Sequence, residues 1–177
     1  MRIRAVVIGI VLVVATHVAV AEPKPVAIKD WTFIDTGGGT GIAKTINESG
    51  SVLGIYCIAK QNCDAYMVSS MTCEVGSKYP GLINSDSGSF HASVTCRNIA
   101  SEGEKPNYAF VFDEFDLIRN LMLKDHTVGV ALPLASGQFK VARFSLEGSN
   151  ETLAAVSRAM NGGAKQVSTT QTKDQTI

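Results

Sequence analysis

Net charge is the first thing this sequence lacks. Its 177 residues carry 16 Lys+Arg against 16 Asp+Glu. A nucleic-acid binder normally shows a basic face and a high pI, so that class of partner is set aside. Histidine is scarce as well: there are three, and only His91 and His126 lie beyond residue 21. The four cysteines include no C-x2-C pair, and their spacings of x5, x9 and x22 match no zinc motif. Beyond residue 21 no apolar run approaches the roughly 20 residues that a spanning helix needs. Internal repeats are absent too. What remains is 45% hydrophobic and 18% charged, the composition of one compact globular domain and too apolar for a disordered chain.

The N-terminus is the most informative stretch. Met1-Arg2-Ile3-Arg4 is basic, Ala5 to Ala15 is an uncharged apolar run, and Ala19-Val20-Ala21 follows. These are the three parts of a secretory signal peptide, with cleavage expected before Glu22. A transmembrane anchor fits worse, because Thr16 and His17 interrupt the run and Pro23 and Pro25 would stop a helix at once. No cysteine stands at the cleavage site for lipid attachment. Losing Arg2 and Arg4 with the leader leaves 14 basic against 16 acidic groups, so the mature chain is nearly neutral. The expected location is the periplasm or the secreted fraction.

Export decides how the cysteines are read. Cys57, Cys63, Cys73 and Cys96 all lie in the mature part, and an even number in an oxidising compartment favours disulfides. Of three possible connectivities, Cys57–Cys63 is favoured because it clips a hairpin, and Cys73–Cys96 because it joins a loop to a strand. Pairing leaves no thiol free for nucleophilic chemistry.

Seven strands are expected, at Trp31–Ile34, Val52–Ala59, Ala65–Val68, Ser89–Arg97, Tyr108–Phe112, Thr127–Leu134 and Gln138–Leu146. In the fourth, Phe90, Ala92, Val94 and Cys96 alternate onto one face. Lys60-Gln61-Asn62 suits a hairpin apex, and Glu102 to Asn107 a surface turn. Glu22 to Asp30 reads as an extended lead-in and Gly76 to Gly88 as a long loop. Two helices are expected. One spans Asp113–Leu123, with Phe115, Ile118, Leu121 and Met122 inward and acids in its first turn. The other runs from a Ser149 or Asn150 cap through Met160, with Leu153, Val156 and Met160 as its apolar stripe, and ends at Asn161-Gly162-Gly163. The sum is an α+β single domain over 22–163, a largely antiparallel sheet of about seven strands with two helices, the last one C-terminal. Two disulfides staple it, and residues 164–177 form a disordered polar tail.

Several motifs come close to known chemistry. Gly38 to Thr45, GGTGIAKT, nearly spells a phosphate loop, but Ala43 stands where the second glycine belongs and no helix follows. It reads as a glycine-rich turn between strands, and no cofactor is expected. Asp113-Glu114-Phe115-Asp116 lacks the ligand spacing of a calcium loop and fits a helix N-terminus instead. Asn47-Glu48-Ser49 and Asn150-Glu151-Thr152 match a glycosylation triplet and are attributed to chance. No G-x-S-x-G occurs. His91, pointing away from the apolar face of its strand, reads as an ordinary exposed histidine. Lys78 to Gly88, between Cys73 and Cys96, combines aromatic, apolar and amide groups. Tyr79, Leu82, Asn84 and Asp86 are the candidate binding residues there, because tethered loops on a rigid scaffold often carry binding.

The segment Phe139 to Met160, FKVARFSLEGSNETLAAVSRAM, with F-S-L-x-G-S leading into a helix, resembles the closing segment of invasion-associated locus B proteins, small exported bacterial proteins. The resemblance implies export and carries no catalytic residue. The expected function is therefore an exported, non-catalytic, disulfide-stabilised domain that binds a protein or a cell-envelope component. The alternatives are a small exported hydrolase using His91 with Asp86 or a nearby serine, and an assembly subunit of a surface apparatus.

Overall fold

The computed structural model describes residues 23–99, 107–134 and 136–161. The expected signal peptide, the polar tail, Gly162-Gly163 and the surface turn up to Pro106 lie outside these residues. Among the described residues there are ten strands and two helices: β1 (Val26–Ile28), β2 (Trp31–Gly37), β3 (Thr40–Ile46), β4 (Val52–Ile58), β5 (Cys63–Val68), β6 (Lys78–Ser85), β7 (Gly88–Ile99), β8 (Asn107–Phe112), α1 (Phe115–Lys124), β9 (Thr127–Pro133), β10 (Phe139–Ser145) and α2 (Ser149–Met160). All ten strands join one sheet in the order β1-β2-β3-β4-β5-β8-β7-β6-β9-β10, and every neighbouring pair is antiparallel.

The expected α+β domain on about seven strands is thus corrected to a mostly antiparallel sheet of ten strands with two helices. Each of the three unexpected strands had been concealed by a local signal. Pro23 and Pro25 stand just before β1, and only Val26–Ile28 pairs with β2. Within GGTGIAKT only the first glycines turn, at positive φ; from Thr40 onward the chain is β3, paired residue by residue with β4. Pro80 and Gly81 suggested a loop, yet β6 runs through them between β7 and β9.

Both favoured disulfides are present. Cys57 and Cys63 face each other across β4 and β5, with Cα atoms 4.2 Å apart. Cys73 joins Cys96 on β7. The second bond does not tether a loop at Lys78–Gly88, as expected, because that stretch is β6 and its turn. It pins the segment 69–77 to β7, helped by Gly76 N–H to Cys96 O and Cys96 N–H to Ser77 O, both 2.9 Å.

The core comprises Trp31, Leu53, Ile55, Met67, Phe110 and their neighbours. In β7, Ala92, Val94 and Cys96 are buried and His91 is exposed, as the alternation requires. α2 lies on β2 and β3, and α1 against β5 and α2. Gly41 explains the close approach of α2, since a Cβ there would come within 3.3 Å of Val156 Cγ1. The expected caps differ. α2 begins after Gly148, at φ 92°, with no side-chain cap. Ser149 instead donates to Met122 O and Thr152 to Gly148 O, so Ser149, Thr152 and Ala155 join Val156 as the buried residues, while Leu153 and Met160 of the expected stripe pack partly buried against the core. At α1, Asp113 and Glu114 reach across to β6 and β7: Asp113 accepts from Lys78 Nζ and Thr95 Oγ1, both at 2.8 Å, and Glu114 from Ser93 N–H.

The last strand returns to the first. Trp31 Nε1 donates to Ser145 O at 3.1 Å, Asn47 Nδ2 to Arg143 O at 3.1 Å, and Asp30 N–H to Glu147 O at 3.2 Å. The sheet is thereby curled until the C-terminal end of β10 meets the β1–β2 and β3–β4 turns. Trp31→Phe is expected to cost about 1 kcal/mol of urea-unfolding free energy by losing one hydrogen bond, and Trp31→Ala about 3–5 kcal/mol by emptying a buried site. In the loop-entropy treatment, replacing both cysteines of Cys73–Cys96 by alanine costs roughly 3.4 kcal/mol, and of Cys57–Cys63 roughly 2.4 kcal/mol, read by the same unfolding curves.

Candidate functional site

The four sequence-derived binding residues separate in space. Leu82 and Asn84 point outward from β6 and are exposed. Tyr79 faces the other way, half-buried, edge-on to Phe110 with ring centroids 6.2 Å apart, and its hydroxyl accepts from Glu74 N–H at 3.1 Å. Asp86 sits in the β6–β7 turn and accepts the backbone N–H groups of His126, at 2.6 Å, and Thr127, at 3.3 Å.

That turn makes a reciprocal clasp. While Asp86 holds the start of β9, Asp125 at the end of α1 accepts the N–H and hydroxyl of Ser87. Burial pushes the Asp125 carboxyl up, but hydrogen bonds from Ser85 and Ser87 more than offset this, leaving it below its ordinary value. Beside the clasp, His126 Nδ1 lies 2.7 Å from Glu147 Oε1, and Lys29 reaches Glu147 and Glu151 at 3.4 Å. The Glu147 contact raises the His126 pKa, and His126 in turn lowers that of Glu147. These groups tie the β1–β2 turn, β9 and α2 together.

The residues of the hydrolase alternative, His91 with Asp86 or a nearby serine, are not brought into contact among the described residues. His91 pairs with Leu82 across β6 and β7 on the outer face. Among the described residues no hydrogen bond joins it to Asp86 or to a serine, and no group of three or more His, Cys, Asp or Glu side chains could hold a metal ion.

Three surfaces remain. A cleft of about 950 Å³ opens between β10 and the β3–β4 turn, with Asn84, Asp86, Thr127, Arg143 and Glu48 in its largely polar lining. A second concavity of about 640 Å³ lies near the other end of β10, between the pinned segment 69–77 and the β9–β10 hairpin. Continuous with the first cleft, which Val141 also lines, Val141, Ala131 and Leu82 stand in one cross-strand row over β10, β9 and β6 on the outer face of the sheet. Leu82 is 52% exposed, Val141 47% and Phe139, two residues along the same face, 57%. The sequence reading missed Phe139 and Val141. FKVARF alternates, but either face could have been inward: Ala142 and Phe144 are buried, and the odd positions carry the exposed apolar groups.

No protein-family model matches the chain, and no curated protein sequence does. A solved structure shares the fold. It is the crystal structure of invasion associated protein B from Bartonella henselae, with a TM-score of 0.54 at 11% identity over 78% of this chain and 99% of that one. The likeness reaches far beyond the Phe139–Met160 segment that resembled such proteins in sequence, and at this identity it is a likeness of fold. Among the described residues no helix is long and apolar enough to cross a membrane.

The clasp sets an acid limit on stability. Because the Asp125 carboxyl is depressed in the native state, its contribution is complete above the unfolded value of 3.8 and is lost as pH falls through the lower native value. Asp125→Asn should cost about 1–3 kcal/mol at neutral pH, by leaving a Ser87 donor unpaired. It should also flatten the acid arm of stability against pH, followed by urea unfolding at a series of pH values.

Proposed function

We propose that the chain is an exported, disulfide-stabilised, non-catalytic domain that binds a protein or another cell-envelope component through the outer face of β6, β9 and β10. One observation carries the reading: Leu82, Phe139 and Val141 place three large apolar side chains in contiguous positions on one exposed sheet face. Isolated exposed apolar residues are ordinary, whereas a contiguous set on a soluble surface marks an interaction site. Export is supported by the leader pattern of residues 1–21, by two disulfides of the kind that persist in oxidising compartments, and by the fold shared with an invasion-associated protein.

Of the four binding residues proposed from sequence, Leu82 is the central contact and Asn84 flanks it on the same face. Asp86 acts by holding the β6–β7 turn in place. Tyr79 lies on the opposite face and does not touch this partner.

The oxidised chain from Glu22 to Ile177 is expected to capture one saturable partner from the host's envelope fraction. Leu82→Asp and Val141→Asp, which put a charge into the apolar row, should each weaken capture about tenfold or more and leave the urea midpoint unchanged. A partner retained undiminished by both variants would move the interface elsewhere. Oligomers that form with concentration and vanish in the same variants would make the partner a second copy of the chain.

A further inference from the structure

We propose that the concavity beside the Cys73–Cys96 bond binds a free amphipathic anion, an apolar chain or ring carrying one anionic head. This inference is independent of the outer-face reading, since the two sites lie on opposite faces of the sheet. The volume of about 640 Å³ falls within the range of small-molecule sites. Its floor is apolar: Met71, Phe110, Leu132, Pro133 and Leu134 line it together with the Tyr79 ring.

Besides the exposed hydroxyls of Ser70 and Thr72, this lining carries two donors beside the apolar floor, on Lys140 and Tyr79. Lys140, on the face of β10 opposite to Phe139 and Val141, has no salt-bridge partner among the described residues. The Tyr79 hydroxyl accepts from Glu74 N–H, so its own proton is available to donate. A cation and a hydroxyl donor at the edge of an apolar floor complement an anionic head attached to an apolar body. Glu74 is the other charged group of the lining. It opposes an anion, and this gives the site a charge signature that can be tested from both sides.

The probe is 1-anilinonaphthalene-8-sulfonate titrated into the oxidised chain, with decanoate and its neutral counterpart decanol as competitors. The expected result is one saturable site from which decanoate displaces the dye more effectively than decanol. Lys140→Gln should weaken decanoate about tenfold, the loss of one charge-assisted hydrogen bond, with Lys140→Arg restoring it. Tyr79→Phe should weaken it less, and Glu74→Gln should strengthen it. Decanol should respond to none of these substitutions, and near-ultraviolet circular dichroism should show the native fold in each variant. Equal decanoate affinity in Lys140→Gln would overturn the proposal. So would a loss of affinity in Glu74→Gln, which would point to a zwitterion, or dye binding that never saturates. Association only with phosphatidylglycerol vesicles, without displacement by decanoate, would also overturn it.

Discussion

A single antiparallel sheet of ten strands has two edges, and the shape of this protein depends on how one of them is finished. β10 is the last strand of the sheet, but the carbonyls of Arg143 and Ser145 on its free side are taken by Asn47 and Trp31 from the opposite half. These are side-chain bonds rather than a ladder, so the sheet curls toward closure without becoming a continuous barrel. The indole of Trp31 combines both requirements. Its ring is buried in the core, and its one polar atom finds an acceptor on a strand 114 residues away. Moving β10 away would open the core and orphan that donor together.

The same closure separates the surfaces. The C-terminal end of β10 is occupied by the turns it meets, which leaves Phe139 and Val141 outward at its other end and Lys140 inward between them. One three-residue stretch thereby contributes to two faces of different chemistry. The outer face is apolar and open, suited to a macromolecular surface. The inner concavity is apolar below with charge at its edge, suited to something small.

Legibility in the sequence followed the strength of local signals. β7 was readable because Ala92, Val94 and Cys96 alternate cleanly with exposed neighbours. The hairpin at Lys60–Asn62 was readable from its polar apex, and it favoured Cys57–Cys63 and with it Cys73–Cys96 among the three possible connectivities. β3 and β6 were not, because glycine and proline are turn formers in general, while here Gly41 makes room for α2 and Pro80 sits where β6 pairs with β7 alone, ahead of its pairing with β9. The helix caps were misplaced for a related reason. Ser149 and Asp113 are good capping residues by type and Glu114 suits a helix N-terminus by charge, but each found a partner distant in sequence. The candidate surfaces were least legible of all, since they depend on which face of FKVARF is turned inward, and that is fixed only when the whole sheet curls.

The route of residues 69–77 has a mechanical consequence. To pass from β5 to β6 the chain must cross the ends of β8 and β7, which lie between them in the sheet, and it is riveted to β7 at Cys96 on the way. The covalent pin joins the crossing strap, at Cys73, to the β7 ladder, at Cys96. A reductant would therefore release the strap while leaving each strand with its neighbours. Loss of the pin would open a local site for proteases in the strap as well as lowering global stability. The disulfide thus adds a covalent hold to a crossing segment that is otherwise tied to β7 by two backbone hydrogen bonds.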